Sequence, residues 1–158
     1  MNNKMKRYSA ERGFTLIELL IVVAIIGILI GIVVPSLLTG VQTANEAAAI
    51  RTLETIRVEQ AKYSISHRGE YGTFDQLTKA GLLDAKFQGD EPVVQGYIFR
   101  MSVTPRAKGQ VPTYAINADP EKADGLNATG KRFFYTDSSI GNTRVNDTQP
   151  AAISDPSL

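Results

Sequence analysis

The feature that most constrains this chain is a run of twenty residues, Leu19 to Leu38, without a formal charge. In a helix, at about 1.5 Å of rise per residue, it reaches roughly 30 Å, the thickness of a bilayer's hydrocarbon core. Such a segment needs lipid or other protein around it. Phe14-Thr15-Leu16-Ile17-Glu18 stands directly ahead of the run. The Glu18 carboxylate thus falls within the apolar stretch, where an unpaired charge costs several kcal/mol. That position asks for a partner.

An ordinary secretory signal places basic residues directly before an apolar core of roughly 7–15 residues and ends on a small-residue cleavage site. Here Lys4, Lys6, Arg7 and Arg12 precede Gly13, the small break lies before the apolar run, and no Ala-x-Ala stands directly behind Leu38. Cleavage behind the run is not expected. The string from Arg12 to Leu29, RGFTLIELLIVVAIIGIL, followed by Pro35, resembles the N-terminal segment of type IV pilins and of the related pseudopilins of type II secretion.

That resemblance implies a prepilin peptidase that cuts between Gly13 and Phe14 and N-methylates Phe14. It also implies filament assembly through Phe14 and Glu18, with Glu18 pairing with the free Phe14 amine of a neighbouring subunit. The implied partners are further copies of the chain, the peptidase, an inner-membrane assembly platform and, before assembly, membrane lipid. The expected parts are a cytoplasmic leader (1–13), a transmembrane or filament-core helix (14–38), and a periplasmic or extracellular head with a polar C-terminal tail (39–158). Before assembly the chain would cross the inner membrane once with its N-terminus in the cytoplasm, in line with the basic leader.

Removing the four Lys and Arg and the one Glu before Phe14 leaves 13 basic against 15 acidic residues, near neutrality. No nucleic-acid site is evident, since phosphate contacts demand a basic excess. There are no cysteines, so disulfides and thiolate metal sites are excluded. The single histidine, His67, reads as a surface residue near a helix end.

The helix is expected to continue from near Phe14 to about Ser66. Its second half is amphipathic, with Ile50, Leu53, Ile56 and Tyr63 on an apolar stripe and Glu54/Arg57 and Glu59/Lys62 three apart on an exposed face. Pro35 should kink or locally melt it. A second, short helix is expected over Thr73 to Leu83, opened by a Thr73/Gln76 capping box and stopped at Gly81. Three or four antiparallel strands follow, around Tyr97–Val103, Tyr114–Ala118, and Phe133 and Tyr135, the last returning through Thr143-Arg144-Val145. The expected fold is α+β and pilin-like, a long N-terminal helix packed on a small antiparallel sheet.

Asp119 to Gly130 reads as a loop of turn formers. Asp119, Glu121 and Asp124 in it lack the regular spacing of a calcium loop, so a solvated acidic loop is expected rather than an ion site. The Asn127 and Asn146 glycosylation triplets are short enough to arise by chance. The residues from Asn146 onward read as a loosely ordered tail. No residue is assigned a catalytic, cofactor-binding or metal-ligating role, and no enzyme or cofactor is expected. The leading functional expectation is a structural subunit of a type IV pilus; the alternative is a pseudopilin driving protein export by type II secretion. A monomeric anchored binding module with an uncut leader gives no reason for the Gly-Phe-x-x-x-Glu arrangement.

Overall fold

The computed structural model describes residues 13–158. One helix, α1, runs from Leu16 to Ser66. By its contacts the chain divides into two units between Leu37 and Leu38.

In the N-terminal unit the helical assignment passes unbroken through Gly27, Gly31 and Pro35. The backbone at Pro35 is therefore helical rather than melted, although proline has no N–H to give the Gly31 carbonyl. Helix α1 begins at Leu16, two residues after the expected start; Gly13, Phe14 and Thr15 lie ahead of it.

In the C-terminal unit α1 buries Glu46, Ala49, Leu53, Ile56, Gln60 and Tyr63. These alternate in steps of three and four, so they form one seam on the helix. The sequence reading placed Ile50 on this seam; it is only partly buried beside it. The ion pairs Glu54–Arg57 (2.7 Å) and Glu59–Lys62 (2.6 Å) form with the expected spacing of three.

Helix α2, Phe74–Lys79, starts with the expected box: the Gln76 N–H donates to Thr73 Oγ1 and the Thr73 N–H donates to Gln76 Oε1. It is shorter than expected because Gly81 and Leu82 turn back to donate to the carbonyls of Thr78 and Leu77, a Schellman closure. A 3-10 turn at Ala85–Phe87 follows, and Phe74, Leu77, Leu83 and Phe87 join the core.

The sheet has five strands where three or four were expected. These are β1 (Val93–Val94), β2 (Tyr97–Thr104), β3 (Thr113–Pro120), β4 (Phe133–Asp137) and β5 (Arg144–Asn146), an antiparallel meander in chain order. The missed strand β1 hangs on a two-residue turn in which Gln95 (φ 50°) and Gly96 (φ 76°) both have positive φ, as a type I′ hairpin requires.

Side chains alternate across the pleat, so pairing fixes which residues share a face. Phe99 lies opposite Ala118, Ala118 opposite Phe134, and Phe134 opposite Val145, giving one apolar row toward the α1 seam. Phe134 and Thr136, not Phe133 and Tyr135, are the buried side chains of β4 alongside Asp137. The result is the expected α+β arrangement, one helix face against one sheet face.

The residues after Asn146 are not a loose tail. The Asn117 side chain donates to the Ala151 carbonyl (2.8 Å), Val145 N–H to Pro156 and Leu158 N–H to Thr143, so the segment doubles back beside β5. Asn146 supports this return, its Oδ1 accepting from Thr148 and Gln149 while its amide donates to Asp155.

Candidate processing and assembly site

The site expected from the sequence lies at the start of α1. Phe14 is 77% exposed, and a side chain added at Gly13 would meet nothing within 4 Å. Glu18 occupies the first turn of the helix, where its charge complements the positive end of the helix dipole. The Thr15 N–H and hydroxyl donate to Glu18 Oε2 at 3.2 and 2.9 Å, and the Glu18 N–H donates to Thr15 Oγ1 at 3.3 Å. This is a capping box, reciprocal satisfaction of two amide groups that a helix start leaves unpaired.

Thr15 is the site residue that sequence reading passed over. Its signal was legible, because Thr15 and Glu18 have the same spacing as Thr73 and Gln76. The structure brings Thr15 and Glu18 together. It sets Phe14 outside the helix.

Behind this start, the large apolar side chains from Leu16 to Leu37 are exposed. The helix is long and apolar enough to cross a membrane, and none of its most apolar 18-residue window is buried within the chain. Exposure on this scale marks a surface made for lipid or for other protein.

The other polar positions are structural. Glu46 accepts from the backbone of Lys131 (3.0 Å) and Arg132, and from Arg132 Nε (2.8 Å). Burial alone would raise its carboxyl, but these donors together hold it below the usual carboxylate range. Beside it, Asn45 donates to the Thr129 carbonyl, Thr129 Oγ1 to Gly96, and the Tyr97 hydroxyl to Arg132. The 121–132 loop is thereby fastened to α1. Gly130 is required there, because a Cβ would overlap the Tyr97 hydroxyl.

The acidic residues of that loop do not gather. Asp119 is the penultimate residue of β3 and pairs with Arg100, while Glu121 and Asp124 are exposed. Burial raises the Asp119 carboxyl despite the nearby guanidinium. Among the described residues no three His, Cys, Asp or Glu side chains group to hold a metal. His67 stacks on Tyr63 with centroids 3.7 Å apart and meets the Tyr63 carbonyl and the Ser66 hydroxyl, at the helix end as expected. Asp137 accepts from the Ser139 hydroxyl and N–H, the Tyr135 hydroxyl and the Ile140 N–H, which closes a turn at the end of β4.

The profile described as the prokaryotic N-terminal methylation motif matches residues 8–34. The chain is 30% identical to the type II secretion system core protein G of Vibrio cholerae, an alignment covering 92% of this chain and all of that protein. It is 38% identical over 71 residues to the type IV wide pilus major component of Thermus thermophilus, and 47% over 57 residues to that organism's narrow pilus major component. Those alignments cover 54% and 49% of the two Thermus proteins. No solved structure gives a significant match.

A helix start bearing the methylation motif, an uncovered apolar rod and an α+β head define a subunit built to be covered by its neighbours. The chain belongs to the family of type IV pilins and type II secretion pseudopilins. Family membership implies peptidase processing and self-assembly into a filament, and the apolar helix fits membrane insertion beforehand. The relatives are named as structural components rather than as enzymes.

Proposed function

We propose that this chain is a pseudopilin-type filament subunit of a protein-secretion apparatus, with a structural rather than an enzymatic role. The observation that carries the reading is the reach of the similarity. Core protein G of Vibrio cholerae matches along its whole length, head included, whereas the Thermus pilus components match over about half of theirs. This reverses the order expected from the sequence, where the surface pilus stood first. The pilus is the second reading, favoured by the higher identity of the narrow pilus component over the shared segment.

In this proposal prepilin peptidase cuts after Gly13 and methylates Phe14. The helix inserts across the inner membrane with its N-terminus in the cytoplasm, and the assembly platform passes each subunit into the filament. Pro35, inside an unbroken helix, lets the rod bend as helices crowd together. Glu18 keeps the helix start capped and then meets the Phe14 amine of a neighbour, which relieves the cost of a carboxylate among apolar side chains.

Deletion of the chain from its own bacterium tests the role. Loss of proteins from the culture medium with no loss of surface fibres is the expected result. Loss of sheared fibres with intact export would establish the pilus instead. The mass of the recovered subunit should place its first residue at a methylated Phe14, and Gly13→Ala should mature less well than changes at Ser9 or Ala10, which lie outside the described residues. Normal maturation with a bulky residue at Gly13 would remove the peptidase from this account.

A further inference from the structure

The head has an open cleft of about 650 Å3 beside the C-terminal end of α1. Tyr63, Tyr71, Val103 and Pro105 supply its apolar wall, and Arg68 lies on its rim. Arg106 reaches across to Glu70, 3.6 Å away, whereas Arg68 makes no ion pair among the described residues. Ile65, 86% exposed, adds apolar surface at the same end of the helix.

The opposite end of the same head carries an exposed loop. The 121–132 loop is tied to α1 at Asn45 and Glu46, eighteen and seventeen residues before Tyr63, or about 27 Å of helix. The loop is pinched at its neck by Lys122 and Thr129, whose backbones pair at 2.8 Å. Lys122 sits at this neck, and Lys131 lines a shallow hollow of about 410 Å3 together with Asp124. The tip beyond it carries Leu126, 83% exposed, and the exposed Asp124, which makes no ion pair among the described residues. One end therefore offers an apolar knob beside an acid, and the other an apolar hollow beside a base.

Complementary patches at opposite ends of one molecule form a heterologous contact, the kind that repeats into an open assembly. We propose that, in the filament, the tip of the 121–132 loop of one copy seats in the α1-end cleft of another, Leu126 against the Tyr71–Val103 wall and Asp124 facing Arg68. The inference rests on the filament-subunit reading above and assigns the contact that sets head register. Charge at such a contact selects geometry more than it adds affinity.

The chain has no cysteine, so Leu126→Cys with Pro105→Cys provides a unique pair of thiols. With the full-length double variant as the sole copy, whole cells treated with a short, membrane-permeant bis-maleimide should yield a ladder of dimers, trimers and higher species of this chain on a denaturing gel. Either single variant should not. A double variant that still supports export but gives only monomers overturns the contact.

Should the thiol variants fail to assemble, charge reversal decides. Arg68→Glu and Asp124→Arg should each lower filament yield roughly fivefold, and the two together should restore it. Losses that simply multiply overturn the contact. Deletion of the chain that costs neither export nor fibres would remove the filament reading and this contact with it, whereas a chain needed for one of them, with no ladder from the double variant and no rescue from the charge pair, would lose the contact alone.

Discussion

At the scale of single residues, two side chains have roles that their types alone do not announce. Glu18 was legible as a carboxylate needing a partner, but the family resemblance implied a neighbour's amine and not Thr15 three residues back. The capping box separates two consequences of mutation that would otherwise be confused. Glutamine also serves at the third helical position of such a box. Glu18→Gln should therefore keep the helix start and show only the loss of charge, a milder assembly defect than Glu18→Ala, with cleavage and membrane insertion intact in both. Normal filament yield from Glu18→Ala in cells lacking the wild-type copy would sink the charge-pairing mechanism. Gln60 is the second case. It is fully buried, and its amide exchanges two hydrogen bonds with the backbone of Gly72, at 2.6 and 3.0 Å. A helix side chain thus acts as one rung of a ladder for the loop that follows. Gln60→Leu strands both Gly72 groups and should cost about 2 kcal/mol in a denaturant titration; an unchanged midpoint would show that the loop is held by other contacts.

At the scale of elements, much was readable because period and burial agree. The distal stripe of α1 and the faces of β2 and β3 follow from apolar spacing, and the capping box of α2 from the Thr73–Gln76 spacing. The inward face of β4 was not legible, because Phe133, Phe134 and Tyr135 are consecutive aromatics that do not say which of them point to the core. Only pairing with Ala118 and Ile116 settles it. Strand β1 was missed because two residues carry no period. The buried Glu46 was invisible for another reason: its donors come from residues 85 and 86 positions away, and no local pattern reports such a contact. The close approach at Gly130 has the same origin. Gly130→Ala should weaken the fastening of the 121–132 loop and lower the stability of the head by roughly 1–3 kcal/mol. Gly125→Ala, where nothing crowds the new Cβ, should show only the smaller penalty of its positive φ. Equal losses at the two glycines, by thermal melting, would contradict the packing argument.

At the scale of the whole molecule, the contacts separate a head beginning at Leu38 from the rod before it. A chain starting at Ala44 retains Asn45, Glu46 and every buried residue of the helix seam. It should therefore fold as a monomer with a cooperative transition; solubility without such a transition would refute the two-layer core. Its acid response follows from linkage. Glu46 and Asp137 have lowered carboxyl pKa values: burial alone opposes this, but the hydrogen bonds outweigh it. Their stabilisation is thus complete above the ordinary carboxylate pKa of about 4–4.5 and is lost as pH falls through the lower folded values. Asp119, raised by burial, acts with the opposite sign and is relieved on protonation. Melting of the Ala44 chain should be level from about pH 8 to 5.5 and decline below about 4.5, with part of the decline missing in Glu46→Gln. A decline beginning near neutrality would point to other groups.

The returning C-terminal segment has a consequence for how such heads can adhere. Exposed strand edges invite another chain to extend the sheet. Here Pro156 and Leu158 occupy hydrogen-bonding positions along β5, and β1 at the other side is two residues long. Neither margin offers a long row of free backbone groups, so a polymer of these heads cannot be stitched together by shared β-ladders. Its cohesion would rest on greasy rods and side-chain contacts, and such a fibre should come apart in mild detergent into intact, refoldable subunits rather than persist as an insoluble one.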